Sequence, residues 1–332
     1  MLPIPQGINI AMQMSAEPSE EDLAFTHQLG VEYVVLWTDG AHASYEYYSS
    51  RRELFERAGL KIYGFGNWEV HNRDAIVLNL PGRDEKIAQY KDHLRALGRA
   101  GIPYTTYAHM ANGIWSTARE ETRGGASARA FDLAKAESGH WRDLRYSMPL
   151  SHGREYTEEE LWENFTYFIQ EVAPVAEDAG VRIGIHPDDP PGVDLAGVPR
   201  CIFGNFAGYQ RALDIADSPN VGVCFCTGCW LEGGDLMGKG TIDSIRTFGE
   251  QGKLFKIHFR NVDKPLPHFV ETFVDDGYMD MYKVMRELRA VNFNGVIIAD
   301  HIPLMANDPR VGTAYSIAYM KAMVKRANEE AV

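Results

Sequence analysis

Short apolar runs alternate with longer amphipathic stretches along the chain. Eight of the runs have the length and residue types of buried β-strands, and a stretch with helical spacing follows each one. They cover residues 7–11, 33–37, 61–65, 102–107, 181–185, 221–225, 254–257 and 296–299. Strands that alternate with helices form a parallel sheet, and eight such units close into a barrel. The sequence therefore predicts an α/β fold, a single (β/α)8 TIM barrel over residues 1–332.

Signals for helix termini support this pattern. Thr157 and Glu160 form a capping box ahead of an apolar stretch at 161–179, and Gly180 follows at the position where a left-handed residue commonly ends a helix. Apolar residues at helical spacing predict three more helices, at 83–99, 278–289 and 311–325.

One long interruption separates the fourth strand from its helix. Residues 109–156 are rich in Gly, Ser, Arg and Glu and include the pair Gly124-Gly125. A loop of this length in a compact domain is usually functional or mobile, and on this side of a barrel it lies over the mouth. We interpret these residues as an insertion that serves as a lid or as an arm for oligomerisation, and we expect a homodimer or a larger homo-oligomer.

The chain is acidic, with 46 Asp and Glu against 33 Lys and Arg and a formal net charge of -13. An acidic surface offers no favourable field to nucleic acid or to an anionic membrane, so we expect neither as a partner. No run approaches the ~18 to 20 apolar residues of a membrane span, and the first residues lack the features of a signal peptide. These observations predict a cytoplasmic location.

The four cysteines, Cys201, Cys224, Cys226 and Cys229, are clustered in the sequence, whereas a disulfide framework would spread them out. This distribution indicates a reducing compartment. Cys226 and Cys229 form a C-x-x-C motif, which elsewhere is a redox pair or half of a structural zinc site. Both interpretations are less favoured here, because a thioredoxin-like βαβ context is missing and Cys201 and Cys224 do not supply a second pair.

Potential metal ligands stand at the carboxyl ends of the last four predicted strands. They are His186, Cys226, His258 and Asp300. In a (β/α)8 barrel the carboxyl ends of the strands meet at one mouth, where active sites are built. Imidazole and thiolate suit divalent transition metals, while a carboxylate adds charge neutralisation. A single residue of this kind is more often a cap or a core residue, but four at consecutive strand ends predict a catalytic metal site.

Four short motifs surround these ligands. They are His186-Pro187-Asp188-Asp189-Pro190-Pro191, Cys226-Thr227-Gly228, His258-Phe259-Arg260-Asn261 and Asp300-His301. The first resembles the H-P-D-D-P-P signature of the mannonate dehydratases, a family of the xylose-isomerase-like TIM barrel superfamily. The others resemble the C-T-G, H-x-R-N and D-H segments of that family, and the similarity continues in family order through residues 164–322.

The resemblance implies a metal-dependent hydro-lyase of sugar acids, which removes water from D-mannonate to give 2-keto-3-deoxy-D-gluconate. It implies that the four ligands named above hold the metal ion, which in this family is usually Mn2+. Fe2+ or another divalent transition metal would also suit these ligands. For His301 and Tyr315 the resemblance implies acid/base roles.

Four more residues are predicted to contact the substrate. Arg260 and Asn261 follow a ligand by two and three positions, and an arginine offers a planar fork for a carboxylate. The alternative for Arg260 is a salt bridge at the rim. Asp188 and Asp189 lie between prolines that hold the segment extended or in turns. Such carboxylates orient a ligand histidine, bind sugar hydroxyls or cap the next turn, and we favour one of the first two roles.

The chain departs from the family pattern at the rim that selects the substrate. The family commonly has D-H-G-R, whereas this chain has Asp300-His301-Ile302-Pro303, without the cation. We expect Trp115 and the insertion to rebuild this rim. Trp37 and Trp230 are candidates for sugar stacking, with buried packing as the alternative. Two other functions stay open: a metal-dependent sugar isomerase or epimerase of the xylose-isomerase-like class, and a sugar-binding descendant without catalysis.

Overall fold

The eight apolar runs form eight parallel strands. They are β1 (Ile8–Gln13), β2 (Tyr33–Thr38), β3 (Lys61–Asn67), β4 (Tyr104–Ala108), β5 (Arg182–His186), β6 (Val221–Cys226), β7 (Leu254–Phe259) and β8 (Gly295–Ala299). In the computed structural model, which describes residues 2–330, they close into a barrel with the neighbour order β1-β8-β7-β6-β5-β4-β3-β2. The predicted (β/α)8 fold is confirmed.

Helices follow the strands around the outside of the barrel. They are α1 (Glu20–Gln28), α2 (Tyr45–Arg57), α3 (Asp74–Val77), α4 (Arg83–Arg99), α5 (Glu158–Ala179), α6 (Phe206–Ala216), α7 (Thr227–Gly233), α8 (Thr241–Glu250), α9 (Met281–Ala290) and α10 (Pro309–Glu329). Within residues 2–330, no helix combines the length and the apolar content that crossing a membrane requires.

Capping residues set the ends of the helices. The side chain of Thr157 accepts from the backbone N–H of Glu160, the carboxylate of Glu160 accepts from the N–H of Thr157, and Gly180 has φ 68°. The predicted capping box and C-cap of α5 are therefore confirmed. Helix α9 begins three residues later than predicted because Asp280 caps it. Helix α10 begins two residues earlier than predicted because Asp308 caps it and a proline occupies its first turn.

Alternate side chains of the strands belong to two apolar layers. One set packs outward against the helices in a large core. The other set fills the inside of the barrel with Ala11, Val35, Tyr63, Tyr104, Phe255, Val296 and Ile298. The ring of Tyr63 stacks on that of Tyr104 with centroids 4.8 Å apart, and its hydroxyl donates to the carbonyl of Phe255 at 2.5 Å. Because the interior is filled, a site for a small molecule is left at the mouth.

The insertion at residues 109–156 has its own β-structure. Its strands are Ile114–Trp115, Glu120–Thr122, Ala126–Ala128, Ala130–Asp132, Ser138–Trp141 and Leu144–Ser147. Ala130–Asp132 pairs antiparallel with His268–Thr272, a strand that follows β7. Trp115 and Phe131 are fully buried. Backbone pairing and apolar packing therefore both join the insertion to the barrel.

The close approach of β3 and β4 at Gly64 can be tested by substitution. A Cβ atom at this position would lie 2.4 Å from the carbonyl oxygen of Tyr104. We expect Gly64→Ala to lower the free energy of unfolding by about 1–3 kcal/mol, the usual cost of overpacking, as measured by urea unfolding followed with circular dichroism. Gly240→Ala is the control, because the added Cβ meets no atom within 4 Å. Equal losses in the two variants would contradict the close contact.

Candidate active site

The four candidate ligands lie together at the carboxyl ends of β5 to β8. His186 ends β5, Cys226 ends β6, His258 is the next to last residue of β7, and Asp300 directly follows β8. The parallel register pairs Cys226 with His258 across β6 and β7. Strand pairing alone therefore brings these side chains to one edge of the barrel.

The ligand atoms are close enough to share one cation. An oxygen of Asp300, Sγ of Cys226 and a ring nitrogen of His258 lie within 4.8 Å of one another. Sγ of Cys226 is 3.9 Å from Oδ2 of Asp300, and Nδ1 of His258 is 3.5 Å from Oδ1. His186 joins this group through Cys226, because a ring nitrogen of His186 and the sulfurs of Cys226 and Cys229 are also mutually within 4.8 Å.

The hydrogen bonding of the two histidines fits a metal site. His258 is 8% exposed, and apart from the 3.5 Å approach of Nδ1 to Asp300 neither of its ring nitrogens has a hydrogen-bond partner among residues 2–330. Buried polar atoms without a partner are rare in proteins. Nδ1 of His186 lies 2.8 Å from the carbonyl of Pro187, a contact that places the proton on Nδ1 and leaves the lone pair of Nε2 for a metal. The residues present therefore fit a divalent transition metal ion.

Two of the candidate ligands are held in their anionic form. Burial raises the pKa of Cys226, but a hydrogen bond from Cys229 and the positive charge of Arg260 outweigh it, so the pKa lies well below its ordinary value. Burial likewise raises the pKa of Asp300, while the charges of His301 and His258 lower it further than burial raises it. Thiolate and carboxylate are the forms of these side chains that bind a metal.

A buried guanidinium group lies directly behind the ligands. Arg260 is 1% exposed. Its terminal nitrogens lie 2.8 to 3.3 Å from carboxylate oxygens of Glu232, Asp189, Glu271 and Asp300. A Cβ atom at Gly228 would lie 1.8 Å from Nε of Arg260, so the glycine of the C-T-G motif makes room for the arginine. Arg260 is the centre of a buried ion-pair network.

Arg129 brings a second guanidinium group to this network from the insertion. Its Nη2 is 2.5 Å from Oδ1 of Asp189, and its Nη1 is 2.9 Å from Oε1 of Glu271. Arg129 also donates to the backbone carbonyl of Trp115 at 2.9 Å. Removal of one partner from a buried ion pair strongly destabilises a protein, because the other charge stays buried without compensation. The network therefore fastens the insertion to the mouth of the barrel.

A cavity of about 150 Å³ lies in front of the candidate ligands. On one side it is lined by His186, Asp189, His258, Asp300 and His301. On the other side it is lined by Trp37, Trp68, His71 and Trp141, and the insertion adds Met110 and Ile114. In the described part of the chain, the lining contains no lysine and no arginine.

The four residues predicted to bind substrate do not all reach this cavity. Asp189 lines it while paired with Arg129 and Arg260. Asp188 is 4% exposed, and burial raises its pKa to about 6. Asn261 is fully buried and donates to the carbonyl of Met279 at 2.9 Å. Asp188, Arg260 and Asn261 are therefore placed behind the cavity wall, and the salt-bridge alternative describes Arg260, although in the interior rather than at the rim.

The two residues predicted to transfer protons have different surroundings. His301 lines the cavity with φ 48°, and its Nδ1 is 2.8 Å from Oε1 of Glu271. Burial lowers the pKa of His301, but the charges of Asp300 and Glu271 outweigh it and raise the pKa overall. Tyr315 lies on α10 outside the cavity lining, with its hydroxyl 3.4 Å from Nη2 of Arg123. The structure brings His301, but not Tyr315, to the candidate ligands.

The tryptophans singled out in the sequence also differ in position. Trp37 lines the cavity. Trp115 and Trp230 are 0% and 1% exposed, and their indole N–H groups donate to the carbonyls of Asn112 and Lys239. The expectation that Trp115 forms part of the rim is therefore wrong, because its whole side chain is used in the interior. Trp141 is the tryptophan that the insertion contributes to the cavity.

Several charged residues around the site were not predicted from the sequence. They are Arg129, Glu232, Lys256 and Glu271. Lys256 is fully buried inside the barrel and donates to Oγ1 of Thr106, a residue that lines the cavity. A lysine within an apolar strand is unusual. The presence of Lys256 in the apolar run of β7 could therefore have marked it as a candidate site residue. Arg129, Glu232 and Glu271 do not interrupt an apolar run in this way, so the sequence gives no similar signal for them.

The fold and the position of this site define the class of the protein, an enzyme built on a (β/α)8 barrel with its site at the carboxyl ends of the strands. The sequence profile of the D-mannonate dehydratase (UxuA) family matches residues 23–329. Mannonate dehydratase 2 of Halalkalibacterium halodurans is 31% identical over 268 residues, which are 74% of this chain and 75% of that protein. The chain belongs to the D-mannonate dehydratase family and is an enzyme of the hydro-lyase class.

Solved structures agree with this assignment of the fold. The mannonate dehydratase of Streptococcus suis serotype 2 superposes with a TM-score of 0.85 and 24% identity, over 98% of this chain and 95% of that one. A xylose isomerase domain protein from Planctomyces limnophilus superposes with a TM-score of 0.65 and 11% identity, over 98% and 99% of the two chains. The resemblance to the family and to xylose-isomerase-like barrels is confirmed.

Removal of Arg129 tests the buried network. Arg129→Leu leaves Asp189 and Glu271 buried with one cation fewer, and such a change costs about 3–5 kcal/mol. We expect this loss in the free energy of unfolding in urea, together with faster proteolytic cleavage within residues 109–156. Arg154→Leu is the control, because Arg154 pairs with a glutamate at the surface and exposed pairs contribute about 0–1 kcal/mol. Similar losses in both variants would show that the network does not hold the insertion.

Proposed function

We propose that this protein removes water from D-mannonate to give 2-keto-3-deoxy-D-gluconate. The observation that carries the proposal is the convergence of two histidines, a cysteine and an aspartate beside a cavity that His301 also lines. The substrate is the one named for the relatives of this chain, among them mannonate dehydratase 2 of H. halodurans.

We propose His186, Cys226, His258 and Asp300 as the residues that hold a divalent ion, Mn2+ in the first instance, with Fe2+ or another divalent transition metal as alternatives. When bound, the ion supplies a Lewis acid for charge that develops on the oxygens of the substrate. Cys229 is not among the proposed ligands, because its Sγ accepts a hydrogen bond from Nη2 of Arg260 at 3.1 Å, and burial together with Cys226 raises the pKa of its thiol well above the ordinary value. A neutral thiol at this position donates a hydrogen bond to Cys226.

His301 is the first proposed proton-transfer group. The reaction removes a proton from the carbon beside the carboxylate and delivers a proton to the hydroxyl that leaves the next carbon. Because Nδ1 of His301 lies 2.8 Å from Oε1 of Glu271 and also contacts Nη1 of Arg260, Nε2 is the ring nitrogen left for exchange of a proton in the cavity. Burial raises the pKa of Glu271, but the charges of His301, Arg260 and Arg129 lower it more, so the carboxylate stays ionised and orients the ring.

Tyr315 is proposed as the second acid/base group, on the resemblance alone. Its hydroxyl contacts Arg123, so it has to leave this partner to reach a substrate in the cavity. Asp189 is proposed to accept hydrogen bonds from substrate hydroxyls, because it is the one predicted binding residue that lines the cavity among residues 2–330. Asp188, Arg260 and Asn261 act by positioning their neighbours.

A cytoplasmic location and a homo-oligomer also belong to the proposal. All four cysteines are free thiols, which suits a reducing compartment. Four large apolar side chains of the insertion are 37% to 47% exposed: Leu133, Leu144, Met148 and Leu150. Large apolar side chains exposed on one segment favour burial against a partner. This supports the insertion as an arm between subunits as well as a cover for the mouth.

Turnover of D-mannonate by chelator-treated protein, with and without added Mn2+, tests the proposed reaction. We expect formation of the 2-keto-3-deoxy acid only with metal. Cys226→Ser should lower metal content and turnover together, whereas Cys201→Ser, outside the cluster, should leave both within about twofold of the parent. Isomerised sugar without loss of water would favour the xylose-isomerase-like alternative. Binding without any conversion would favour a sugar-binding descendant.

The proton-transfer roles are tested by two substitutions that leave the candidate metal ligands intact. We expect His301→Gln and Tyr315→Phe each to lower kcat by about 10²- to 10⁴-fold, the usual contribution of general acid/base catalysis, with metal content unchanged. Tyr319→Phe, on the same helix and exposed, should keep full kcat. Full activity of Tyr315→Phe would show that the hydroxyl of Tyr315 transfers no proton in the reaction and that the residue only packs against Arg123.

A further inference from the structure

The cysteine pair at the start of α7 is only half used by the proposed reaction, which takes Cys226 and leaves Cys229. Cys226 ends β6 and is the N-cap of α7, and Cys229 is the third residue of that helix. The backbone N–H of Cys229 donates to Sγ of Cys226 at 3.5 Å. The C-x-x-C spacing therefore puts both thiols on the same side of the first helical turn, at the carboxyl end of β6.

An imidazole from the neighbouring strand completes a ligand set with these two thiols. A ring nitrogen of His186, at the end of β5, and the sulfurs of Cys226 and Cys229 lie within 4.8 Å of one another. The zinc interpretation of the C-x-x-C motif required a second pair of cysteines, and the fold brings this histidine in its place. Two cysteines and one histidine, with a fourth position open, are a known ligand set of zinc. We call His186, Cys226 and Cys229 the sulfur-rich set.

The other side of Cys229 offers a similar cluster that cannot take an ion. Sγ of Cys229 also lies within 4.8 Å of carboxylate oxygens of Asp189 and Glu232. Nη2 of Arg260 lies 3.2 Å from Oδ2 of Asp189 and 2.8 Å from Oε1 of Glu232, so a guanidinium group already has the place of a cation. The same nitrogen donates to Sγ of Cys229 at 3.1 Å. A metal-bound thiolate keeps lone pairs for such a bond, and an outer partner of this kind orients a ligand.

The sulfur-rich set and the ligand set proposed for Mn2+ differ in the cation that they suit. Both contain His186 and Cys226, but the sulfur-rich set has a second sulfur where the other has an imidazole and a carboxylate. Mn2+ prefers oxygen ligands, whereas thiolates select softer ions such as Zn2+. A thiol that coordinates such an ion releases its proton to solvent, so the neutral state of Cys229 in the metal-free protein is no obstacle. Since the two sets share residues, only one of them can be occupied at a time.

We propose that the sulfur-rich set is a second metal site for thiophilic divalent ions, Zn2+ in the first instance, and that zinc bound there excludes the ion of the proposed reaction. The exclusion rests on the proposed function, which assigns His186 and Cys226 to the catalytic ion. Among residues 2–330, Asp300 and Cys229 share no ligand group. An ion held by Cys229 therefore lies toward α7 and away from Asp300, and the zinc-bound protein does not turn over the sugar acid.

X-ray absorption at the zinc edge tests the site without relying on turnover. It counts sulfur ligands directly, because Zn–S bonds of about 2.3 Å are longer than Zn–N and Zn–O bonds of about 2.0–2.2 Å. The full chain is loaded with one equivalent of Zn2+ in the presence of a phosphine that keeps the thiols reduced. We expect both sulfurs on zinc in the parent and a single sulfur in Cys229→Ser. A single sulfur in the parent would overturn the proposal, because zinc would then occupy the set that contains Asp300.

Dissociation constants measured by competition with a chelator separate the two sets. We expect Cys229→Ser to weaken Zn2+ binding by at least about tenfold, because loss of even an outer partner of a ligand costs about 10- to 100-fold. Binding of Mn2+ should weaken by less than about threefold, since the hard ion does not use this sulfur. Asp300→Asn, which keeps the shape of the side chain, should give the reverse pattern. Equal losses for the two ions in each variant would overturn the second site.

The matched control is Cys201→Ser, which removes a cysteine outside both sets. It should leave both dissociation constants within about twofold of the parent. Turnover of D-mannonate by the zinc-loaded parent at the rate of the manganese-loaded parent would overturn the exclusion. Absence of turnover with Mn2+, together with both sulfurs on zinc, would contradict the proposed function and still support the second site.

Discussion

The buried guanidinium group of Arg260 is the interaction on which the arrangement of the mouth depends. It meets carboxylates from four separate segments of the chain: Asp189, Glu232, Glu271 and Asp300. Without a cation at their centre the three that have a lowered pKa, Asp189, Glu271 and Asp300, would repel one another in a medium that screens charge poorly. Because Asp300 is a candidate ligand and Glu271 orients His301, the network positions the site from behind. Gly228 is required for the same reason, since any side chain there would displace the arginine.

The insertion extends this network to the other half of the cavity. Arg129 reaches two of the same carboxylates, and the strand that directly follows it, Ala130–Asp132, pairs with the strand that carries Glu271, His268–Thr272. The insertion thereby holds Trp141 opposite the candidate ligands, in a cavity that a barrel alone would leave open. A site from which water is partly excluded strengthens the electrostatic interactions inside it. Anchoring of the insertion and shaping of the cavity are therefore one structural feature.

The parts of this structure that depend on local pattern could be predicted from the sequence. Strand positions follow from apolar runs, and the bounds of α5 follow from Thr157 and Gly180. Barrel topology then implied that residues at the ends of β5 to β8 would meet. The surroundings of Arg260 could not be predicted, because they depend on the tertiary approach of distant segments. The place of Tyr315 could not be predicted either, because its hydroxyl contacts Arg123 in an insertion whose packing no short motif encodes.

The charge balance of the buried network bears on the cation that the site would hold. Four groups have a lowered pKa and are anionic: Asp189, Cys226, Glu271 and Asp300. Burial raises the pKa of Glu232 well above its ordinary value, which favours its neutral form. The cations beside the four anionic groups are Arg129, Arg260 and His301, whose pKa Asp300 and Glu271 raise more than burial lowers it. Deeper in the barrel, burial raises the pKa of Cys224, but the charges of His258 and Lys256 outweigh it and lower that pKa to about 7. Burial lowers the pKa of His258, but the charges of Cys224 and Asp300 outweigh it and favour the protonated ring. A divalent ion held by Cys226 and Asp300 would supply positive charge in place of that proton and leave the imidazole neutral, the form in which it binds a metal.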